Sequence, residues 1–597
     1  MKFSVLIPTY NRRDVLSRTL SAVFAQEFPT SEFEVIVVVD GSNDGTLEML
    51  QSLQPRCGFR FFYQSNTGLP AARNAALKAA EGDLVLILDD DIVCEPSLLR
   101  KHLESHLGED NLVVFGVVPL HPDSPPSLGA EQWTTWFEHF RDRLERENAC
   151  GPPVKLWLAA AAPAVNRSIP RTLLTALGCC DEKMKDCHED WDLGIRLWKA
   201  GVRFRFQPDA IAYHFYVKSE RDLVEKEAQL FARGEVALSR KHPEYRPLSM
   251  LAGIGAGSWL HRMFVAMAAT LPFSLEPVLR PPFLVLNSLR TIPKLNRTGM
   301  RLFGYRSGLK IYREAASVTG SRKALKAEFG MRLPVLAYHH VGPPKPGTYP
   351  DLSVAADRFE RHIHWLYRMG YRSISPADWL RWCREGTGLP QKPVLLTFDD
   401  AYADIGKYAF PVLRRYGFGA TVFVVTGHIG KTNAWDEVRG SAIHPLMTAE
   451  QIRYWASQGI DFGSHSRTHP NLTTVSAAAA AEELLRSRDE LAALLGRSVT
   501  IFAYPYGRHN KVVCDSARTI YEMAFTTLEG LNNLQTDPFL MKRPCVGMRD
   551  SVVDLECLLR WGMRPLQHLP AKIRLRTRLM RAVCRLGIGI NGAENRG

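Results

Sequence analysis

The sequence predicts an α/β protein made of two unlike α/β regions. Three observations carry this. Strand-like apolar runs alternate with helix-like amphipathic runs over residues 1–110, and again from LPVLAYHHV to about residue 550. Polar residues cluster where the apolar runs end, which is where open α/β sheets and α/β barrels bind ligands. At 597 residues the chain exceeds one hydrophobic core, and the two regions use different motifs with no internal repeat.

In order, FSVLIP reads as a buried strand and not as a leader peptide, because the apolar run is short and closes on Pro8 and polar residues. VLSRTLSAVFAQ is a helix, FEVIVVVD a buried strand ending in Asp40, GSNDGT a turn and TLEMLQSL a helix. FRFFYQ, the helix AARNAALKAA, a turn at Gly82 and the strand LVLILDDD complete a parallel α/β pattern. A charged amphipathic helix over 130–148, an apolar segment over 154–166, the helix EDWDLGIRLWKAG and the strand-like VRFRFQ extend this first domain to residues 1–245.

Residues 246–332 form an oily, then basic, linker. SMLAGIGAGSWL and MFVAMAATLPFSL are separated by His261-Arg262 and followed by Pro281-Pro282. Neither reaches the roughly 20 apolar residues of a spanning helix. From Arg280 to Arg332, basic residues far outnumber Glu314 and Glu328. The expectation is helices lying on a membrane surface. A second domain covers 333–562, with strands PVLLTFDD, ATVFVV, GIDFGSH and TIFAYPYG and an alanine-rich helix over 475–495. The tail 563–597 is basic and amphipathic, a second candidate surface anchor. The chain is therefore expected in the cytoplasm, peripheral on the inner face of the cell membrane.

A net charge of +13 suits nucleic acid, anionic membrane or phosphate-bearing substrates. Nucleic acid is set aside, since no zinc-finger or helix-turn-helix pattern occurs and the aromatics do not interleave with a basic patch. The 11 cysteines include no CxxC pair, which points away from a disulfide scaffold and towards a reducing compartment.

Two sets of residues carry chemistry. In the first domain, Asp40 at a buried strand end can accept hydrogen bonds from a nucleotide base or ribose, assisted by Asp44. Asp89, Asp90 and Asp91 repel one another without a cation. Strand alternation turns Asp89 and Asp91 the same way, as a pair for Mg2+ or Mn2+ between donor phosphates. Glu189-Asp190 precede a helix, where a carboxylate can deprotonate an acceptor hydroxyl or simply cap the helix. FSVLIPTYNR, VVVDGSNDGT, NTGLPAARNAAL, LILDDD and EDWDLGIRLWKAG together resemble the inverting family 2 glycosyltransferases over residues 1–220. The resemblance implies a Rossmann-like, GT-A type domain taking a UDP- or dTDP-sugar. It places Pro8, Asp40, Asp44, Arg73 and Asn74 at the donor, Asp89 and Asp91 on the metal, and Asp190 as the base. The Gln-x-x-Arg-Trp element of processive synthases is missing after Asp190, which favours transfer of one or a few sugars.

In the second domain, Asp399 and Asp400 end the strand PVLLTF, and His465 and His469 are spaced i,i+4 in FGSHSRTHP. Two imidazoles and one carboxylate make a three-ligand catalytic zinc site, and the other carboxylate can act as base on a water. In IFAYPYG, Tyr504 or Tyr506 can line a sugar cleft, and the backbone after Pro505 can donate to an oxyanion. LPVLAYHHVG, LTFDDAYAD, ATVFV, FGSHSRTHP and FAYPYG resemble the polysaccharide deacetylases of the chitooligosaccharide deacetylase homology family over 333–550. The resemblance implies a distorted (β/α) barrel. It makes Asp399 the base, Asp400, His465 and His469 the ligands of zinc or another divalent ion, and the Tyr506 N–H the oxyanion donor. His339 and His340 match one branch of that family. Two departures stand out. Ala503 occupies the place of an arginine that orients the base, for which Arg543 is the candidate replacement from another strand. The family's late Leu-x-His is also missing, so the general acid is unassigned.

Together these imply a bifunctional enzyme of cell-surface polysaccharide or lipopolysaccharide biosynthesis. It would add an N-acetylhexosamine from a nucleotide-sugar to a glycan or lipid-linked acceptor and then remove N-acetyl groups. The alternative is a glycosyltransferase with a degenerate, glycan-binding deacetylase domain.

Overall fold

The computed structural model describes residues 2–151, 154–162, 164–185, 187–218, 222–255, 293–343, 346–439 and 442–564. Most of the oily stretch and nearly all of the basic tail lie outside the described residues. Among the described residues, no helix is long and apolar enough to cross a membrane. The chain divides into two compact units, Met1–Leu325 and Lys326–Gly597.

The first unit is built on one mixed sheet of β1 (Phe3–Thr9), β2 (Phe33–Asp40), β3 (Gly58–Gln64), β4 (Leu84–Ile87), β5 (Ile92–Cys94), β6 (Leu112–Val117), β7 (Arg167–Pro170) and β8 (Arg203–His214). Their order is β3-β2-β1-β4-β7-β6-β8-β5. The first four are parallel, and β7 runs antiparallel to β4 and β6. The result is the open half-barrel of GT-A type that the sequence predicts. Every residue of β1 and β2 is buried, as their largely apolar runs require, and the two polar residues inside them, Ser4 and Glu34, are hydrogen-bonded to each other at 2.6 Å. Leu16, Leu20 and Val23 of helix Arg13–Phe24 cover one face, and Ala72 and Ala76 of helix Leu69–Ala79 the other.

Strand β4 stops at Ile87, so Asp89–Asp91 follow in a turn. The two-residue alternation expected to pair Asp89 with Asp91 therefore does not apply to them. VRFRFQ is only the start of a long β8 that ends on His214. Helix Glu189–Lys199 packs on helix Leu156–Ala161 so closely that a Cβ on Gly194 would stand 1.8 Å from the Ala159 carbonyl oxygen. Helix Pro293–Val318 belongs to this unit and lies on helix Ala228–Lys241, with Arg233 paired to Glu314 at 3.1 Å.

The second unit holds a parallel sheet of β9 (Val335–Tyr338), β12 (Arg372–Ser373), β13 (Pro393–Phe398), β14 (Thr421–Val424), β15 (Asp461–Ser464), β16 (Ile501–Ala503) and β17 (Met523–Phe525). Strands β12 to β17 lie side by side in chain order, and β9 pairs with β13. A small parallel pair, β10 (His340–Val341) and β11 (Ser353–Val354), stands apart. This is a second open half-barrel, the distorted barrel that the sequence predicts. The segment 541–546 reaches across its gap. Met541 bridges to Phe525 of β17, and Cys545 bridges to Ala337 of β9. Arg543, between the two bridges, is fully buried.

Candidate active sites

In the first unit, a cavity of about 390 Å³ opens past the ends of β1, β2 and β4. Its wall includes Pro8, Asp40, Asp89, Asp90, Asp91 and His214. Asp40 is fixed by donors from the end of β3 and the loop after it. Its Oδ1 accepts from Gln64 Nε2 and Thr67 N, and its Oδ2 from Gly68 N, all at 2.8–2.9 Å.

The three later carboxylates divide between two arginines. Asp89 accepts from Arg73 at 2.8 Å. Asp90 accepts from Thr9 at 2.8 Å and Arg12 at 2.6 Å. Asp91 accepts from Arg12 at 2.9 Å and stands 3.3 Å from His214 Nε2. Burial pushes the Asp90 carboxyl up to about 7 against the pull of Arg12, with the Asp91 charge adding to the rise. Burial also opposes the Asp91 charge, but His214 and Arg12 outweigh it and hold that carboxyl well below the usual range. A wall that leaves one carboxyl of this pair protonated near neutrality is short of positive charge, and its oxygen donors fit a hard divalent cation.

Arg73 joins this wall to the helix that carries Asp190. Its guanidinium is buried and also donates to Glu189 at 2.7 Å. Burial and the neighbouring Asp190 charge push the Glu189 carboxyl up to about 7 in spite of Arg73. Asp190 is partly exposed beside it and accepts from the Trp191 N–H at 2.9 Å. Two predicted donor-site residues are used elsewhere. Asp44 closes its own turn by accepting from Arg13 N and Thr46. Asn74 fastens the backbone of Cys180 and the side chain of Glu182. Sequence reasoning passed over Arg12 and His214. The available signal for His214 was a polar residue closing the short run Ala210–Tyr213.

In the second unit, Asp399 and Asp400 follow β13, and both are buried. Arg543 donates to Asp399 through both terminal nitrogens, at 2.5 and 2.7 Å, while its Nε reaches the Thr526 carbonyl at 3.2 Å. Burial would raise the Asp399 carboxyl, but Arg543 first, then His465 and His339, hold it well below the usual range. Arg543 thus pairs with Asp399 from the gap-closing segment, where Ala503 has no side chain to do so.

Asp400, His465 and His469 offer ligand atoms to one point. Nε2 of His469 and of His465 stand 3.4 and 3.6 Å from Asp400 Oδ1. That is too long for good hydrogen bonds, yet close to the ~3.4 Å separating two ligands of a tetrahedral zinc. Asp400 Oδ1 is buried with no hydrogen-bond partner. Burial and the Asp399 charge push the Asp400 carboxyl far up, and a cation held by this cluster would offset both. His465 Nδ1 lies 2.8 Å from the Ala503 carbonyl, which puts the proton on Nδ1 and leaves Nε2 for a metal. These residues fit a zinc-like ion. The strain of the arrangement is local, since Asp400, Ala401, Ser466, His469 and Tyr506 all have positive φ.

The ring centre of Tyr506 lies 4.5 Å from that of His469, and the ring centre of Trp435 4.6 Å from it. Tyr504 points into the core, its hydroxyl 3.2 Å from the Phe539 carbonyl, and does not line the cleft. His339 Nε2 lies 3.8 Å from Asp399 Oδ2, and burial pushes its imidazole down to about 4.

The comparisons with known proteins agree with this division. Residues 4–158 match the model of glycosyl transferase family 2, and residues 386–521 that of polysaccharide deacetylase. The chain is 30% identical over 207 residues to the "Putative polysaccharide deacetylase YxkH" of Bacillus subtilis (strain 168), covering 34% of this chain and 68% of that protein. It is 30% identical over 254 residues to the "Uncharacterized glycosyltransferase YfnE" of the same organism, covering 36% of this chain and 64% of that protein. Over 93 residues it is 42% identical to the poly(ribitol-phosphate) beta-N-acetylglucosaminyltransferase TarS of Staphylococcus aureus (strain Mu50 / ATCC 700699), covering 15% of this chain and 16% of that protein. With one set of motifs in each unit, the chain belongs to the polysaccharide deacetylases through its C-terminal domain, fused to an N-terminal family 2 glycosyltransferase domain.

Proposed function

We propose that the chain is a bifunctional enzyme that adds an N-acetylhexosamine from a UDP- or dTDP-sugar to a glycan or lipid-linked acceptor and removes N-acetyl groups from the glycan. The observation that carries the reading is the pairing of Asp399 with the fully buried Arg543, beside the Asp400, His465 and His469 cluster. A degenerate, merely glycan-binding domain has no need of a buried arginine whose main partner is the base. The similarity to TarS, whose name specifies N-acetylglucosamine transfer, supports an acetamido sugar as donor.

In the second unit Asp400, His465 and His469 would hold zinc or a similar divalent ion. Such an ion supplies Lewis acidity to the acetyl carbonyl and acidity to water. Asp399, kept ionised and aimed by Arg543, takes the proton of the attacking water. The Tyr506 N–H donates to the oxyanion as the carbonyl becomes tetrahedral. The C–N bond breaks, acetate leaves, and the nitrogen takes up a proton to become the free amine.

In the first unit Asp40 binds the nucleotide, and Asp89 and Asp91, with His214 beside Asp91, would hold Mg2+ or Mn2+ against the diphosphate. Asp190 removes the acceptor hydroxyl proton, and direct displacement inverts the anomeric centre. Arg73 fixes Glu189 and Asp89 on either side of this step. The enzyme would work in the cytoplasm or at the inner face of the membrane, where nucleotide-sugars are available.

The test is acetate release from N-acetylglucosamine oligosaccharides and lipid-linked sugars by metal-stripped protein, with and without restored zinc. Zinc-dependent release that Asp399→Asn abolishes is the expected result. No release from any of these substrates would leave the glycan-binding alternative.

A further inference from the structure

We propose that His340, Asp404 and His444 form a second divalent-metal site in the C-terminal unit, distinct from the Asp400, His465 and His469 cluster. His340 comes from β10, Asp404 from the first turn of helix Ala403–Tyr408, and His444 from the returning arm of the long loop between β14 and β15. Each offers one ligand atom, and the three atoms lie within 4.8 Å of one another.

His340 and His444 are 4% and 5% exposed, with ring centres 3.8 Å apart. Asp404 Oδ2 is 3.0 Å from His340 Nδ1. A hydrogen bond there accounts for one carboxylate oxygen. It leaves the other, Asp404 Oδ1, buried with no hydrogen-bond partner. A buried carboxylate oxygen with nothing to accept from is costly, and a cation shared with two imidazoles removes that cost. Two nitrogens and one oxygen are the donor set of a zinc-like ion, not of Mg2+.

The surroundings hold the ligands in place. The Thr348 hydroxyl lies 2.9 Å from His444 Nε2, and the His444 N–H donates to Asn433 Oδ1 at 2.7 Å. Partners of this kind orient ligating imidazoles. The consequence reaches the neighbouring cleft. The loop that delivers His444 also carries Trp435, whose ring lies against His469. An ion at the second site would tie that loop to β10 and to helix Ala403–Tyr408, and so hold Trp435 over the catalytic cleft.

The experiment counts metal and does not depend on deacetylase turnover. The full chain is stripped, dialysed to equilibrium against buffered Zn2+, and its zinc measured by mass spectrometry. The parent is compared with His444→Gln, Asp404→Asn, Asp400→Asn and the Asp400→Asn/His444→Gln double variant. Expected are one equivalent fewer in each single variant and two fewer in the double. Parent-level zinc in both His444→Gln and Asp404→Asn overturns the second site, whatever Asp400→Asn shows. A loss in His444→Gln that Asp404→Asn does not reproduce overturns it too, because the carboxylate is then no ligand. If His444→Gln fails to fold, as judged by near-ultraviolet circular dichroism, His340→Gln takes its place beside Asp404→Asn under the same two criteria.

Discussion

Arg543 and Asp399 are 144 residues apart in sequence, yet meet as a forked pair with the arginine fully buried. Removing the guanidinium in Arg543→Ala strands a buried carboxylate, which costs about 3–5 kcal/mol. Arg543→Lys keeps the charge but loses the two-pronged geometry. The expected Lys variant folds, binds zinc like the parent and loses about 10–100-fold in kcat for acetate release. The pH dependence has a definite sign. A carboxyl depressed in the folded state contributes stability above its ordinary pKa, and that contribution is lost only as pH falls through the depressed value. Weakening the arginine therefore moves the acidic limb of kcat/KM to higher pH, which a pH profile of the zinc-loaded Lys variant reads directly. An unshifted limb with parent kcat would remove Arg543 from the base's service. At this scale the sequence was legible where ligands are local, as with Asp399-Asp400 and the His465/His469 spacing. It was less so where a partner crosses the fold. Arg543 could be named only as a candidate, since nothing local places segment 541–546 in the gap between β9 and β17. Asp44, Asn74 and Tyr504 read as site residues by motif, but their side chains close a turn, fasten a loop and fill the core.

Helix Glu189–Lys199, which carries Asp190, is set by what lies behind its first turn. His188, with φ of 71°, precedes it and meets Glu235 of helix Ala228–Lys241 at 3.1 Å, both fully buried. Burial works against the His188 charge, but the Cys187 and Glu235 side chains outweigh it and raise the imidazole to about 10. Glu235 also accepts from Tyr245 and Ser249 and is held below its ordinary value. A histidine raised in the folded state contributes stability that is complete below about 6.5 and is lost as pH climbs to about 10. The thermal stability of the parent should therefore fall over that window. His188→Gln should be less stable by about 3–5 kcal/mol at pH 6 and show a flatter response above it. A parallel decline in both proteins would mean that the pair is neutral in the fold. The strands show the same contrast between local and distant information. The largely apolar runs of β1, β2 and β13 announced themselves. Two-residue strands such as β10 and β12 carry no readable period, and the end of β4 at Ile87, which sets how the three aspartates face, depends on neighbours that no window of sequence contains.

The whole chain joins a reaction that would install an acetamido sugar to one that would remove the acetyl group. Covalent linkage confines the two sites to an effective mutual concentration that can reach the millimolar range, far above the concentration of the enzyme itself. The gain is greatest when the enzyme is dilute and disappears when separate chains are abundant. On the proposed reading, Asp399→Asn should retain transfer and Asp190→Asn should retain deacetylation, which gives a comparison. Supplied with nucleotide-sugar and acceptor, each alone should release no acetate, since one makes the substrate without cleaving it and the other has nothing to cleave. Mixed, they should restore acetate release, but more slowly than the intact chain at nanomolar enzyme, with the deficit closing as concentration rises. A mixture that matches the intact chain at every concentration would mean that the glycan diffuses freely between the two reactions. The fusion would then coordinate expression of the two activities without shortening the path between them.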